Sequence, residues 1–253
     1  MDKKLKKRMP ELGLLGKNIS YSFSRAHFTA KFENENLPYS YVNFDIDEIS
    51  KLKDILKNNS NLKGFNVTIP YKEQIIPFLD DINKKARKIG AVNTVTISKT
   101  GRLKGYNTDY YGFKKSIQPY LKPHHKNALI LGTGGASKAI AYALKKLKID
   151  FDYVSRSQNT MAKFLYSDLT PEIIASYTII INCTPIGTHP NVNECPDIPY
   201  DGITDKHILY DLIYNPSHTK FLICGEIKGA ATCNGLEMLE LQAEKAWKIW
   251  KLS

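Results

Sequence analysis

Residues 128–138 read Ala128-Leu129-Ile130-Leu131-Gly132-Thr133-Gly134-Gly135-Ala136-Ser137-Lys138, and a helical stretch from Ala139 to Lys148 follows directly. The first four residues form a continuous apolar run, which is typical of a strand buried in a parallel sheet. A strand, a glycine turn and a helix in succession predict the first unit of a doubly wound α/β domain.

The glycine turn between this strand and this helix predicts a dinucleotide site. Its glycines allow a tight turn and the close approach of a pyrophosphate, whose charge then meets free amides at the helix N-terminus. Ser137 occupies the position where a third glycine is frequent. Because both flanking elements are present, we favour dinucleotide binding over the alternative of an ordinary glycine-rich turn.

The choice between NAD and NADP depends on the end of the next strand, Phe151 to Ser157. Asp152 lies 20 residues beyond Gly132, a spacing that suits an acid bound to the ribose 2′-hydroxyl of NAD, but it lies within the strand instead of at its carboxyl end. That end reads Ser155-Arg156-Ser157, and a planar guanidinium can hold a 2′-phosphate with several charged hydrogen bonds. The sequence favours NADP, and the alternative for Arg156 is a surface arginine.

The remaining pattern predicts two groups of alternating strands and helices. Two further strands, 177–184 and 207–212, fit the doubly wound sheet, with loops at its carboxyl edge. The first hundred residues predict a separate mixed sheet with helices on both faces. Its predicted elements are a strand at 11–16, a helix at 25–35 capped by Ser24, a strand at 39–44, a helix at 47–57, a strand at 65–69, helical stretches at 72–88 and a hairpin at 91–105.

The segment Gly64-Phe65-Asn66-Val67-Thr68-Ile69-Pro70-Tyr71-Lys72 predicts a short buried strand that ends beside a ligand. Val67 and Ile69 alternate with Asn66 and Thr68, so the period of two sends the polar pair to one face. Pro70 stops the strand, and Lys72 just beyond it is well placed to meet a bound molecule. The alternative is a polar edge strand that runs into an exposed lysine.

A second candidate group follows the hairpin, in Gly105-Tyr106-Asn107-Thr108-Asp109. Asp109 could be only the N-cap of the helix that begins near Tyr110. A lysine and an aspartate at two strand ends, with the amides of Asn66 and Asn93, nevertheless provide the groups for proton transfer to an oxygen. In a partly dry cleft, Lys72 and Asp109 would keep each other charged and oriented.

Composition indicates a folded globular protein of one large or two ordinary domains, since 42% of its 253 residues are hydrophobic. No apolar run approaches the length of a membrane span, and residues 1–8 lack the apolar core of a secretory signal, so we expect a cytoplasmic protein without a membrane partner. The spacing of Cys183, Cys195, Cys224 and Cys233 indicates neither a metal site nor a disulfide framework.

A net charge of +11 raises the possibility of nucleic-acid binding. Residues 1–8 alone contain five Lys or Arg, and most other lysines lie on helical stretches where a solvated face is the usual explanation. We therefore expect no nucleic-acid partner, and a preference for anionic small molecules.

Nine short motifs stand in the order seen in shikimate dehydrogenases, and the resemblance covers nearly the whole chain. They are Gly16 to Ser24, Asn66 to Lys72, Ala91 to Thr94, Asn107 to Asp109, Gly132 to Ala136, Ser155 to Ser157, Asn182 to Pro185, Asp211 to Pro216, and Asn234 to Leu239 with Gln242. The resemblance implies NADP-dependent, reversible reduction of 3-dehydroshikimate to shikimate in aromatic amino acid biosynthesis. It also implies an α/β substrate domain with a mixed sheet at 1–109, completed by the C-terminal helix 236–253, a doubly wound Rossmann domain at 110–235, and a cleft between them.

The resemblance also implies roles for individual residues. Lys72 and Asp109 resemble the catalytic pair, with Lys72 the proton donor to the alkoxide. Ser22 and Ser24 resemble the hydroxyls that hold the substrate carboxylate. The family's contacts to the ring hydroxyls correspond by resemblance to Thr68, Asn93, Asn107 and Gln242, and Tyr214 lies where the family lines the cleft. Asn66 is interpreted as a further hydroxyl contact. The implied cofactor contacts are Gly132, Gly134, Gly135, Ala136, Ser155, Arg156, Ser157, Thr184 and Gly235, with no metal site.

The chain departs from the family pattern in three of these motifs. Asn18, Tyr21 and Arg25 replace the usual Pro, His and Pro, while both serines remain. Thr133 and Lys138 replace a usual alanine and arginine in the glycine turn, and Ser155 replaces an asparagine.

Two alternatives to a biosynthetic shikimate dehydrogenase stay open. One is a quinate or broader polyol dehydrogenase that uses NAD, which Ser155-Arg156-Ser157 disfavours. The other is a basic binding or regulatory protein that kept the fold and lost turnover, against which Lys72 and Asp109 argue. We expect a monomer or a homodimer.

Overall fold

The computed structural model describes residues 9–20, 22–158 and 160–252 of the chain. The basic segment 1–8 and Tyr21, which differs from the family pattern, lie outside the described residues. The chain divides into two compact units, the first formed by Met1–Thr108 with Ala243–Ser253 and the second by Asp109–Gln242. The sequence pattern placed the corresponding changes after residue 109 and at residue 236.

The first unit contains a mixed sheet that positions its polar residues. In the described part of the chain this sheet has six strands in the order β2-β1-β3-β5-β6-β4. Its strands are β1 (Glu11–Gly16), β2 (Ser40–Asp45), β3 (Leu62–Val67), β4 (Asp81–Ile82), β5 (Thr94–Ile97) and β6 (Leu103–Tyr106). β1 runs parallel to β2 and β3, whereas β3, β5 and β6 pair antiparallel. The ends of β3 and β6 and the start of β5 consequently lie at one edge of the sheet.

Helices cover both faces of the first sheet. They are α1 (Phe23–Asn34), α2 (Leu52–Asn58), α3 (Tyr71–Gln74) and α4 (Lys84–Ile89), with 3-10 turns at Ile49–Lys51 and Ile76–Phe78. One core cluster, around Leu15, Phe65 and Val95, lies on one face. A second, rich in aromatic rings, joins Phe28 and Tyr41 to the end of the last helix.

The second unit contains a parallel sheet in the strand order β12-β11-β10-β7-β8-β9. Its strands are β7 (Asn127–Leu131), β8 (Asp150–Ser155), β9 (Phe164–Leu165), β10 (Ile179–Asn182), β11 (Ile208–Asp211) and β12 (Ala231–Cys233). Numbered within the unit, this order is 3-2-1-4-5-6, which is the doubly wound arrangement of dinucleotide-binding domains. The order reverses between β7 and β10, and ligands of such sheets bind at the carboxyl edge beside that point.

Helices and 3-10 turns complete the second unit. The helices are α5 (Asp109–Ile117), α6 (Gly135–Leu147), α7 (Pro171–Ser176), α8 (Lys220–Ile227) and α9 (Leu236–Trp250), with 3-10 turns at Gln118–Tyr120, Tyr166–Asp168 and Tyr200–Gly202. The apolar strands β7, β10 and β11 are buried on both faces, between one core cluster around Phe113, Ile130 and Tyr210 and another around Leu129, Ile180 and Phe221. Helix α9 contributes Met238 to the first of these clusters, and its end belongs to the first unit.

Several predicted elements differ from the structure. Helix α1 begins at Phe23 and its N-cap is Ser22, so the prediction of Ser24 as the cap was wrong; Ser22 Oγ accepts the Arg25 amide at 3.3 Å. Strand β3 ends at Val67, and Ile69 is 69% exposed instead of packing beside Val67. The predicted helical stretch 72–88 is broken by Pro77 into α3, a 3-10 turn, β4 and α4, because proline removes an amide and obstructs a continuous helix.

Candidate active site

A buried polar cluster lies at the carboxyl ends of β3 and β6 in the first unit. Asn93 is its centre, because its side chain joins the segment just before β5 to the segment after β6. Asn93 Nδ2 donates to Thr108 Oγ1 at 2.9 Å, and Asn93 Oδ1 accepts the Thr108 amide at 2.7 Å. Thr94 Oγ1 also donates to Asn93 Oδ1 at 3.1 Å. These bonds fix Thr108, the residue that directly precedes Asp109.

Two more predicted site residues are bonded to the same segment before β5. The backbone oxygen of Lys72 accepts the amide of Val92 at 2.7 Å, so the first turn of α3 is fastened beside Asn93. Asn107 is buried, and its Nδ2 donates to the carbonyl of Ala91 at 3.0 Å. The structure therefore brings Lys72, Asn93 and Asn107 together through the segment 91–93, although they are well separated in sequence.

Asn66 and Tyr41 form the buried floor of this cluster. Tyr41 Oη donates to Asn66 Oδ1 at 2.9 Å, and Asn66 Nδ2 donates to Asn93 O at 3.1 Å and to Thr94 Oγ1 at 3.2 Å. Burial raises the pKa of Tyr41 well above its ordinary value, so the phenol stays neutral and can act as this donor. Because all the polar atoms of the Asn66 side chain have partners inside the unit, its interpretation as a substrate contact is not supported.

Ser22, Ser24 and Thr68 lie on the elements around this floor. Ser24, in the first turn of α1, is 8% exposed and its hydroxyl lies beside the phenol of Tyr41. Ser22 is half-buried at the N-cap, where its Oγ serves as an acceptor and keeps its own proton for another partner. Thr68 is half-buried after β3, its amide bonded to Leu15 O at 2.9 Å. A Cβ on Gly16 would lie 2.5 Å from the Thr68 methyl group, so glycine is needed there.

The glycine turn of the second unit has the geometry of an anion site. Gly132 has φ +99°, which is strained for any residue with a side chain. Gly134 is the N-cap of α6, and no described atom lies within 4 Å of a Cβ placed on it, so the space above it is open. Gly135 and Ala136 begin the helix, and their amides are free of intrahelical partners in such a position. Ser137 is fully buried and donates to Gly134 O at 2.7 Å, which closes the turn without a third glycine.

The end of β8 presents the predicted 2′-phosphate contacts. Ser155 is buried and its Oγ accepts the amide of Ser157 at 3.4 Å, whereas Arg156 and Ser157 are exposed. Asp152 lies further back in the strand, where it accepts hydrogen bonds from Lys163 at 2.8 Å and from Tyr177. The residues at the strand end therefore fit a phosphate-bearing ribose, and Asp152 is engaged elsewhere.

The loops after β10 and β11 are held by a buried carboxylate, Asp211, whose contacts are not evident from the sequence. Asp211 Oδ1 accepts from Asn182 Nδ2 at 3.1 Å and from the amide of Ile213 at 3.0 Å, and Oδ2 accepts from Thr219 Oγ1 at 2.7 Å. Burial raises the pKa of Asp211 to about 6, although these three donors act in the opposite direction. Its position at the end of a buried apolar strand is the sequence feature that could have identified it.

The other predicted residues of the second unit lie on separate elements. Gly235 precedes α9, and any side chain there would collide with the carbonyl of Leu212. Tyr214 is half-buried in the loop after β11, and Gln242 is buried on α9 with Nε2 donating to Leu239 O at 3.0 Å. Asp109 is the first residue of α5 and is buried, a position where a carboxylate is stabilised by the helix dipole.

Metal binding and membrane insertion can both be examined in the described residues. Within residues 9–20, 22–158 and 160–252, no cluster of three or more His, Cys, Asp or Glu side chains could hold a metal ion. In that same part of the chain, no helix is both long and apolar enough to cross a membrane.

Comparison with protein families and solved structures shows which known proteins this chain resembles. Residues 14–95, which contain the second half of β1 and all of β2 and β3, with Lys72 and Asn93, match the family model of the shikimate dehydrogenase substrate binding domain. A shikimate dehydrogenase (NADP(+)) of Clostridium botulinum is 41% identical over 251 residues, covering 95% of this chain and 96% of the relative.

Solved structures are similar over nearly the whole chain. Shikimate dehydrogenase 1 of Peptoclostridium difficile has a TM-score of 0.83 at 38% identity, covering 97% of this chain and 92% of that one. The shikimate 5-dehydrogenase of Thermus thermophilus, solved with NADP(H) and shikimate, has a TM-score of 0.85 at 29% identity, covering 97% and 94%. With its doubly wound unit, its polar cluster and relatives of this similarity, the chain belongs to the shikimate dehydrogenase family.

Proposed function

We propose that the protein is an NADP-dependent shikimate dehydrogenase, which reversibly reduces 3-dehydroshikimate to shikimate in the biosynthesis of aromatic amino acids. The observation that carries the proposal is the position of Lys72. It follows β3 inside the matched substrate-binding region, and its backbone is bonded to the segment that carries Asn93. A half-buried lysine among hydrogen-bonding amides can exchange a proton with an alcohol oxygen.

Lys72 and Asp109 are the ionisable groups assigned to the chemistry. During reduction, Lys72 donates a proton to the substrate oxygen, and during oxidation it takes the proton back. Bound NADP supplies the acceptor or donor of the hydride. Asp109 provides the compensating negative charge at the start of α5, directly after Thr108, which Asn93 holds in place.

The first unit is assigned to the substrate, since its cluster suits a small acid with several hydroxyls. Ser22 is assigned to the substrate carboxylate and Ser24 is its second hydroxyl. Thr68, Asn93, Asn107 and Gln242 are assigned to the ring hydroxyls, and Tyr214 to the lining of the substrate site. A site built to hydrogen-bond hydroxyl groups strongly rejects analogues that lack them, because its buried polar groups then remain unpaired. Selectivity for a polyol acid follows from this lining.

The second unit is assigned to the cofactor. The open N-terminus of α6, reached through Gly132, Gly134, Gly135 and Ala136, receives the pyrophosphate. Ser155, Arg156 and Ser157 bind the 2′-phosphate, which makes NADP the preferred dinucleotide. The loops that carry Thr184 and Gly235 complete the cofactor contacts.

We expect the enzyme to work in the cytoplasm as a monomer or homodimer, without a nucleic-acid or membrane partner. Cys183, Cys195, Cys224 and Cys233 are free thiols, as a reducing compartment favours. Light scattering of the purified protein measures the oligomeric state, and a hexamer would contradict this expectation.

The test is an assay of the purified protein with shikimate or quinate, each combined with NADP or NAD. Formation of reduced cofactor is followed by absorbance, and the product is identified by chromatography. We expect the highest kcat/KM for shikimate with NADP. Faster turnover of quinate with NAD would instead indicate a quinate dehydrogenase, and binding of shikimate without turnover of any pair would indicate a binding protein.

A further inference from the structure

Asp211 and Asn182 end two neighbouring strands and face each other in the interior of the second unit. They are register partners in the parallel pair β10 and β11, and both are fully buried. Asn182 Nδ2 donates to Asp211 Oδ1 at 3.1 Å. A buried, ionisable carboxylate at this edge of a doubly wound sheet calls for a physical explanation, because burial disfavours its charge.

The Asp211 carboxylate and the carbonyl of Ile186, which accepts from Asn182 Nδ2 at 3.3 Å, together determine which way the Asn182 amide points. Ionised carboxylate oxygens only accept hydrogen bonds, so the NH₂ end of Asn182 must face Asp211. The amide oxygen of Asn182 is thereby turned toward Thr184. It accepts the Thr184 hydroxyl at 2.6 Å and the Thr184 amide at 3.0 Å.

Thr184 links the oriented Asn182 amide to the glycine turn. Its Oγ1 accepts the amide of Ile186 at 3.3 Å, so the corner after β10 is closed on itself. Its methyl group lies 3.1 Å from the position that a Cβ on Gly132 would occupy. A continuous set of contacts therefore runs from Asp211 through Asn182 and Thr184 to the turn whose open face suits a pyrophosphate.

The second oxygen of the Asp211 carboxylate binds a different element, the start of helix α8. Asp211 Oδ2 accepts the hydroxyl of Thr219, the N-cap of α8, which in turn accepts the amide of Leu222 at 3.4 Å. Thr219 and Thr184 are thus both bound to the Asp211 network, but it is Thr184 that contacts the glycine turn. This difference provides an internal control.

We propose that Asp211 is a positioning residue for the dinucleotide, acting through Asn182 to hold Thr184 against the Gly132 turn. The inference rests on the proposed function only in taking the dinucleotide as the ligand of that turn. It predicts that Asp211 affects NADP and NAD alike, because Arg156 and not this network reads the 2′-phosphate.

The test compares three variants with the wild type by calorimetric titration of NADP and NAD and by amide hydrogen exchange without cofactor. Asp211→Ala removes the charged partner of Asn182 Nδ2 and leaves that group with its longer bond to Ile186 O. We therefore expect about a 10-fold weaker Kd for both dinucleotides, as for the loss of one charged hydrogen bond, and faster exchange of the Thr184 amide. Asp211→Asn retains one oxygen to hold Asn182 and Ile213, and the Thr219 hydroxyl can turn to accept its NH₂ group. This conservative variant should restore binding to within about threefold of the wild type, less than half the energy of one hydrogen bond to a charged group.

Thr219→Val is the control for a purely structural role of the carboxylate. It should lower the melting temperature but leave both Kd values and the exchange of Thr184 unchanged. Equal Kd values for Asp211→Ala and the wild type, measured where both are folded, would overturn the inference. It would also be overturned if Thr219→Val weakened dinucleotide binding as much as Asp211→Ala does. Should Asp211→Ala fail to fold, Asn182→Ala replaces it with the same expected loss of affinity.

The outcomes also separate this inference from the proposed function. A wild type that binds NADP without oxidising shikimate refutes the function, while the three Kd comparisons still decide the role of Asp211. A wild type that binds neither dinucleotide overturns both.

Discussion

Lys72 is the residue on which the proposed chemistry depends most. Replacing it by alanine removes the proton donor while its backbone bond to Val92 can persist. We expect kcat to fall by about 10³-fold, the range of a lost general acid, with shikimate affinity changed only a few-fold. Steady-state kinetics and calorimetry measure the two quantities, and Lys88→Ala, at an exposed lysine of α4, is the control. A variant that retains wild-type turnover would remove Lys72 from the mechanism.

Arg156 is the residue that should separate the two dinucleotides. It is exposed at the end of β8, between two hydroxyl-bearing residues. Arg156→Gln should raise the KM for NADP by about 10-fold or more, because charged hydrogen bonds contribute about 1.5–3 kcal/mol, and should leave the KM for NAD nearly unchanged. Arg102→Gln, at an exposed arginine in the hairpin between β5 and β6, is the matched control. Equal effects on both cofactors would contradict the assignment.

At this scale, sequence could identify residue types but not their partners. Lys72, Asn93 and Asn107 were predicted as site residues, and the backbone of the segment 91–93 shows how they are connected. Asn66 has the same polar character, yet it fastens β3 to the Asn93 segment. A pattern of alternation cannot distinguish a polar side chain that faces a ligand from one that is fully bonded within the fold.

The glycine turn is the element that the sequence predicted most securely, because strand, turn and helix signals agree there. Gly132→Ala should destabilise the protein by about 1–2 kcal/mol, since φ is left-handed, and should also weaken NADP binding because the new methyl group presses on Thr184. Gly101→Ala is matched to it, with φ +79° and no described atom within 4 Å. Denaturant unfolding should show a lower free energy of unfolding for both variants, whereas calorimetry should show weaker NADP binding only for Gly132→Ala.

The strand ends at β10 and β11 predict a pH dependence of stability. The pKa of Asp211 is about 6 in the folded protein and about 3.9 when unfolded, so the folded state binds more protons between these values. Stability therefore decreases as the pH rises from about 4 to about 6, by about 3 kcal/mol from this group, and levels off above the folded pKa. Asp211→Asn cannot titrate and is the reference. A stability difference between the two proteins that does not change across this range would contradict the shifted pKa.

Segments whose residues favour more than one secondary structure were predicted less accurately. The stretch 72–88 contains good helix formers, but Pro77 divides it and the short strand β4 pairs with β6 inside it. Strand β3 ends two residues before Ile69 because Thr68 and Tyr71 form a turn, with the Tyr71 amide bonded to Thr68 O at 2.9 Å. Such turns depend on tertiary partners that local propensity does not contain.

For the molecule as a whole, the end of the chain completes its first unit. Trp250 is 6% exposed and its Nε1 donates to Val95 O at 2.9 Å, in a space that Gly64 leaves open. Trp250→Ala should destabilise the protein by about 3–5 kcal/mol, as large core truncations do. Leu252→Ala, at a side chain that is 89% exposed, should change the unfolding free energy by less than about 0.5 kcal/mol. Chemical denaturation followed by circular dichroism measures both, and equal small effects would show that the C-terminal segment is dispensable.

Sequence could predict the α/β fold class with a mixed sheet and a doubly wound sheet, because ordered motifs extend over nearly the full length of the chain. It could not predict the buried contacts that hold the motifs, such as Asp211 with Asn182, since these depend on which strands become neighbours. The parallel pairing of β10 and β11 places these two residues opposite each other.

The most direct test of the proposed function is the initial rate of NADPH formation by the purified wild-type protein with shikimate and NADP. We predict saturable formation of NADPH with 3-dehydroshikimate as the product. No shikimate-dependent NADPH from a protein that is folded and binds NADP would contradict the proposal.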